Sequence, residues 1–355
     1  MPDSGPGRMW TASKLLVLAA AIAAAALVVW QLANVLLLLF ASILVAVLLR
    51  ALAELIERFT PIRGGWSIGL ACLLIGGVLA SFFTLMGSRI QSEAASLVES
   101  VPDLISSVEE RFGVSGLQTW LEQQLGDVLQ NGELAMSVAS YSTLIISIAA
   151  HGLVVLAAGV YLALRPELYR DGLVKLVPPE RKAEARDTLD TIGRALKLWL
   201  AGQLAAMVLV GILTTLGLWL LGIPSAFALG FLAGLLEFVP FVGPVLSAVP
   251  AIALGLAEGP TTGLWVLGLY VLIQQIEGNL ITPLVQQRTV DLPPVVTIFA
   301  ILSFGVLFGA LGILLATPLA VVCFVLVKKL WVRDVLHEEV DVPGEDYEDG
   351  ERGTG

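Results

Sequence analysis

Apolar runs long enough to approach or exceed a bilayer crossing recur along this chain, at 15–30, 32–49, 66–88, 141–164, 198–221, 224–257, 260–281 and 295–327. A membrane span needs about 20 predominantly apolar residues at 1.5 Å rise each. Hydrophobic residues make up 57% of the sequence and charged residues 14%, whereas a soluble domain carries about 25% charged residues. The period-2 alternation of a membrane barrel is absent. The runs therefore predict an all-α polytopic membrane protein. About six full transmembrane helices and two helical hairpins broken by proline and glycine account for the roughly eight hydrophobic segments.

Arg8 and Lys14 precede the first run, as in a signal peptide, but the run continues through "QLAN" with no clear cleavage region. Cys72 and Cys323 fall in separate apolar runs and read as buried, inert thiols. The net charge of −10 is concentrated in two places. The C-terminal "EEVDVPGEDYEDGERGTG" reads as a disordered acidic tail. The segment 89–140 is also acidic.

Lys and Arg near membrane ends favour the cytoplasm. Arg8, Lys14, Arg50, Arg58 and Arg63 flank the first three spans. They put the N-terminus and the 50–65 loop inside, with 15–49 as an out-and-back pair turning at Gln31 and Asn34. The expected organisation is a cytoplasmic 1–14, three spans in 15–88, an extracytoplasmic helical segment at 89–140, a fourth span at 141–164 and a cytoplasmic amphipathic segment at 165–197. A transport core follows at 198–332, and a cytoplasmic acidic tail at 333–355. Trp10, Trp30, Trp66 and Trp331 fall near the expected interfaces and read as anchors.

Two segments are too long for one crossing. A straight helix over 224–257 would run about 51 Å, against a hydrocarbon core of about 30 Å. Pro240, Gly243 and Pro244 lie near its middle, and proline both lacks a donor and clashes with the preceding turn. A hairpin resolves the conflict, and "GFLAG" at 230–234 offers a small face for close packing. The segment 295–327 repeats the problem, with Gly305, Gly309 and Gly312 near its middle and Pro318 further on. Alternation of span and hairpin gives the topology of an inverted repeat, the arrangement in which discontinuous helices build a midplane site.

The stretches "GIPSAFALGFLAGLLEFVPFVGPVLSAVPAIALGL" and "YVLIQQIEGNLITPLVQQRTVDLPPVVTIFAILSFGVLFGALGILLATPLA" resemble those of the AI-2E family of transporters, which includes autoinducer-2 exporters and PerM-like permeases. The resemblance covers roughly residues 10–332, and its specific part is this C-terminal pair of motifs. It implies a multi-pass protein of the bacterial inner membrane, with both termini cytoplasmic on the charge pattern above, that moves a small hydrophilic solute such as an autoinducer-2-like signal. It implies a homo-oligomer, with a pentamer as one form, and Na⁺(Li⁺)/H⁺ antiport as an alternative activity. Its motifs map onto Glu237, Pro240, Gly243 and Pro244, onto Gln274, Glu277, Gly278, Asn279 and Pro283, and onto Gly312 and Pro318.

Glu237 is the single formally charged side chain between Lys197 and Glu258. A charge near the membrane centre costs about 2.5–3.5 kcal/mol on insertion scales and is retained for a purpose. Holding a proton or a cation is one purpose; capping backbone donors freed by the break is the other. Gln274 and Glu277 are three apart and share a helix face that, with Asn279, would suit a hydrophilic solute or an ion. His151, inside the fourth span, reads as a hydrogen-bonded side chain before a proton relay. "GWSIG" at 65–69 matches a nucleophile-elbow pattern but opens a span, and "GVSG" at 113–116 lies in a polar segment. Neither has a suitably placed His, and no Walker A or metal-ligand motif is present, so no enzyme, cofactor, metal or nucleic-acid partner is expected. A non-transporting membrane scaffold is the competing class.

Overall fold

The computed structural model describes residues 30–77, 150–281, 292–338 and 340–345, with isolated positions Val17, Ala20 and Leu27 before them. The expected external segment 89–140, Trp10, Pro283 and most of the acidic tail lie outside the described residues. Among the described residues there is no strand. The elements are α1 (Ala33–Phe59), α2 (Gly65–Gly77), α3 (Ala150–Leu164), α4 (Pro166–Val174), α5 (Lys182–Leu220), α6 (Ala226–Leu236), α7 (Val242–Glu258), α8 (Pro260–Ile276) and α9 (Pro294–Leu326). Short π-helical turns continue α8 through Glu277–Ile281 and α9 through Val327–Arg333. Proline stands in the first turn of α4, α8 and α9, where its missing N–H costs no hydrogen bond.

By length and hydropathy, the helical stretches Ala33–Phe59, Pro179–Leu220 and Pro294–Arg333 qualify as spans, and α3 with α4 makes a fourth if the bent pair is one span. That pair bends by 84° at Arg165, where the apolar run ends. The cytoplasmic segment 165–197 and the span 198–221 were expected as separate elements. The structure instead carries one 39-residue helix, α5, through both. Its length of about 58 Å is nearly twice a hydrocarbon core. The boundary in charge near Lys197 is no boundary in backbone, because the stretch contains no proline.

Both long segments fold back. α6 and α7 are separated by residues 237–241, and Phe241 adopts φ 65°. Ala226 and Leu229, from the start of α6, share a buried cluster with Ala251 and Leu254, from the end of α7. Gly243 rests against the carbonyl of Leu236, leaving no room for a Cβ. Pro240 lies in the turn, whereas Pro244 lies in the first turn of α7, so it starts the returning helix and does not break the descending one. α6 packs on α5 through the glycines of "GFLAG": a Cβ on Gly234 would lie 2.6 Å from the carbonyl oxygen of Met207, and one on Gly230 would meet Thr215. Lipid is as apolar as these helices, so such close backbone approach carries the association.

α9 reverses at Gly309, whose φ of 65° and ψ of −145° lie in a region essentially reserved for glycine. Gly312 then lies against the carbonyl of Phe304, and a Cβ on Gly305 would lie 2.9 Å from Ile313. Residues 304 and 312 would be about 12 Å apart along a straight helix. The three glycines thus divide the work: Gly309 turns the chain, and Gly305 and Gly312 let the arms close. Pro318 is fully buried inside the second arm, away from the tip.

Residues of both tips pack on one core. One core joins Leu37 and Leu44 of α1, Leu196, Trp199 and Leu200 of α5, and Ala300, Ile301, Leu315 and Val321 of α9. Phe238 and Val239 from the first tip and Phe304 and Phe308 beside the second pack on it. The Trp199 and Phe238 rings meet edge-on at 5.8 Å. Charges gather at one end, where Lys197 pairs with Glu54, Arg170 with Asp190 at 2.8 Å and Lys329 with Asp187 at 2.7 Å. Two expectations change here. Cys323 is exposed on the outside of α9, and residues 340–345 of the acidic tail dock on the fold, with Val342 buried.

Candidate functional site

Glu237 stands where α6 ends, at the tip of the first hairpin, and only 1% of it is exposed. The side chain is held there because its backbone is fixed from two directions. Its N–H donates to Ala233 within α6 at 3.0 Å. Its carbonyl, freed by the break, accepts from Nε2 of Gln203 on α5 at 2.6 Å. Backbone capping at the tip is therefore done by Gln203. The carboxyl of Glu237 is left for something else: its Oε2 is buried without a hydrogen-bond partner among the described residues.

The side chain that faces this carboxyl is Glu277, just past α8, near enough for the two to interact. Glu277 Oε2 in turn accepts from Gln274 Nε2 at 2.7 Å, across the shared helix face. Burial falls along this line. Glu237 is buried, Glu277 intermediate and Gln274 exposed. A polar track thus leads from the surface to a carboxyl inside an apolar core. Two carboxyl groups side by side in low dielectric repel when both are ionised, and a proton or a cation between them relieves it.

The other candidates divide. Asn279 turns back on its own helix, donating to the Gln275 carbonyl at 2.9 Å and its Oε1 at 3.1 Å. Gly278 has open space where a Cβ would be, in the π-helical turn that carries Glu277. Pro240 and Gly243 shape the tip that presents Glu237. Ser247, buried on α7, accepts at its carbonyl from the Tyr270 hydroxyl at 3.1 Å, tying the returning arm to α8. Sequence reasoning missed Gln203, although an amide side chain inside the apolar run 198–221 was a signal. His151 lies exposed on α3. Ser67 of "GWSIG" is buried at the start of α2 and donates to Glu57 Oε1 at 2.6 Å. It acts as a structural cap, not a nucleophile. No group of three or more His, Cys, Asp and Glu side chains among the described residues is placed to hold a metal ion.

Comparison with known proteins covers most of the chain. The family described as AI-2E family transporter matches residues 16–331. The Bacillus subtilis protein YueF, named for transport, is 27% identical over 272 residues, 71% of this chain and 73% of its own length. A Thermotoga maritima transport protein is 27% identical over 305 residues, 84% of this chain and 89% of its own. The Escherichia coli AI-2 transport protein TqsA is 32% identical over 146 residues, 41% of each chain.

Proposed function

Because this chain belongs to the AI-2E family of transporters, a family of transport proteins and not of enzymes, we propose that it moves a small hydrophilic solute across the bacterial inner membrane, with Glu237 and Glu277 as the polar centre of the path. The observation that carries this reading is the buried, unpartnered Oε2 of Glu237 at a hairpin tip. An apolar core does not keep such a group unless something binds it. The track through Glu277 to Gln274 supplies the way in. Irregular backbone at membrane depth, as at residues 237–241, is tolerated where it is buried in protein or lines a polar path.

In the proposed mechanism the first hairpin enters from outside and the second from the cytoplasm. The apolar core on which Phe238 and Phe308 both pack is the barrier between the two solutions. A proton or a Na⁺ ion held between Glu237 and Glu277 neutralises the pair and lets the solute's polar groups follow. Gln203 keeps the tip in register. Gly309 gives the second tip its reversal. The charged end of the bundle, with Lys197, Arg170, Lys329 and Arg333, faces the cytoplasm, as positive charge near membrane ends favours. An autoinducer-2-like signal is the solute we put first, on the name of TqsA, and homo-oligomerisation belongs to the same proposal.

The test is flux in proteoliposomes under a proton or sodium gradient, for wild type and Glu237→Gln, with autoinducer-2 as the first solute. Gradient-coupled flux in wild type and its loss in Glu237→Gln is the expected result. Coupled flux that survives the substitution removes Glu237 from the path. Gradient-driven Na⁺ for H⁺ exchange with no added solute would assign antiport instead.

A further inference from the structure

The docked residues 340–345 have a role that sequence did not foretell. Lys329 is 1% exposed at the cytoplasmic end of the second hairpin, and its ammonium has three partners: Thr191 Oγ1 at 2.7 Å and Asp187 Oδ2 at 2.7 Å on α5, and Glu345 Oε1 at 3.1 Å on the tail. Arg333 grips both oxygens of the same Glu345, at 2.7 and 3.0 Å. Arg194, on α5, donates to the Gly344 carbonyl at 2.5 Å, and Lys328 to the Asp341 carbonyl at 3.1 Å. Val342 is 4% exposed and sits in the same core as Leu196, Val321 and Val325. Gly344, at φ 88°, lies so close to α5 that a Cβ would come within 2.6 Å of the Thr191 carbonyl oxygen and 2.8 Å of the Ala195 nitrogen. The segment is therefore seated in a shaped cleft, by charge, by one apolar anchor and by a residue that must be glycine.

We propose that residues 340–345 are a latch that ties the cytoplasmic base of the second hairpin to α5 and restrains the hairpin while docked. The latch bridges the two elements. Arg194 and Thr191 belong to α5, and Lys329 and Arg333 continue α9. It is built to release as well as to hold. Asp187 stays beside Lys329 when Glu345 leaves, so undocking does not strand a buried charge, which is the costly event in breaking an ion pair. The contacts formed by the tail are two charged pairs, two bonds from cationic side chains to carbonyls and one valine. A segment of that size dissociates without unfolding the helices beneath it. The latch does not depend on which solute moves.

Hydrogen exchange on the full chain in lipid nanodiscs tests this, read at residues 187–196 of α5 and 318–333 of the hairpin base. Glu345→Gln removes the charge and Gly344→Val blocks the seat, two changes that share no chemistry. Both are expected to speed exchange in these segments about tenfold or more, the scale of losing a hydrogen bond to a charged group. Wild type is expected to do the same in about 1 M salt, where the screening length is about 3 Å. Asp341→Asn serves as the control, because the contact there is made by the backbone carbonyl, and it should exchange as wild type does. Wild-type exchange rates in either Glu345→Gln or Gly344→Val overturn the latch. So does an equal effect of Asp341→Asn, which would make this a general response to tail charge.

Discussion

Replacing Gly309 with alanine separates a hairpin from a rod by the sign of one stability change. In a continuous helix, Gly→Ala stabilises by about 0.5–1 kcal/mol, because alanine loses less backbone freedom on folding. In this structure Gly309 has φ 65° and ψ −145°, and an added Cβ would meet nothing within 4 Å. The cost is therefore purely one of backbone conformation. Holding a non-glycine residue in such a region costs about 1–3 kcal/mol. At about 1.4 kcal/mol per factor of ten, the variant should shift its folding equilibrium toward the unfolded state by roughly 5- to 150-fold. Unfolding in bicelles, followed by a reversible trap of the opened state, measures this directly. Gly305→Ala is the internal comparison, because its Cβ would press on the Ile313 side chain and not on backbone, so it should cost less. An unchanged or increased stability for Gly309→Ala would refute the reversal and make 294–326 a single helix.

Two further outcomes follow from the same geometry. Gln203→Leu removes the donor to the Glu237 carbonyl and should cost about 1–3 kcal/mol, with faster exchange confined to residues 237–243; no change in exchange there would show that the tip is held by packing alone. At the charged end of the bundle, the Lys329 ammonium hydrogen-bonded to Asp187 holds that carboxyl below its ordinary value of 3.8. Glu345 is also lowered, burial acting to raise it and the hydrogen bonds from Arg333 and Lys329 outweighing that. A lowered carboxyl stabilises fully above its ordinary value and loses that contribution as pH falls through its folded value. The gap in melting temperature between wild type and an Asp187→Asn, Glu345→Gln double variant should thus be constant near pH 7 and narrow progressively as pH falls below about 4. A gap that does not narrow below about pH 4 would contradict the pairing.

Much of this architecture is legible in the sequence because a bilayer sets a length. Segments 224–257 and 295–327 exceed one crossing and carry proline and glycine at their middles, so their fold-back follows from arithmetic. The close glycine face at 230–234 is equally readable. Which glycine turns the second hairpin is not, because Gly305, Gly309 and Gly312 differ only in φ and in what a Cβ would touch, and neither is a property of spacing. The continuity of α5 was hidden by its change from charged to apolar near Lys197, which marks a change of solvent and not of backbone. Gln203 escaped notice because its partner is a carbonyl freed by a break 34 residues away. The latch was masked by the acidity of its surroundings. Val342 and Gly344 are its informative residues, and they gain meaning only against the cleft that receives them.

The opposed entry of the two hairpins is what the transport mechanism rests on, and labelling of single cysteines in a Cys72→Ser, Cys323→Ser background tests it most directly. Thr261 marks the base of the first hairpin, Val295 and Val335 that of the second, and Thr261, Val295 and Val335 are all exposed. An impermeant thiol reagent added to intact cells should label cysteine at 261, and should reach cysteines at 295 and 335 only after permeabilisation. Labelling of 261 and 295 from the same side would contradict the account, because the two hairpins would then enter from one side and not from opposite sides.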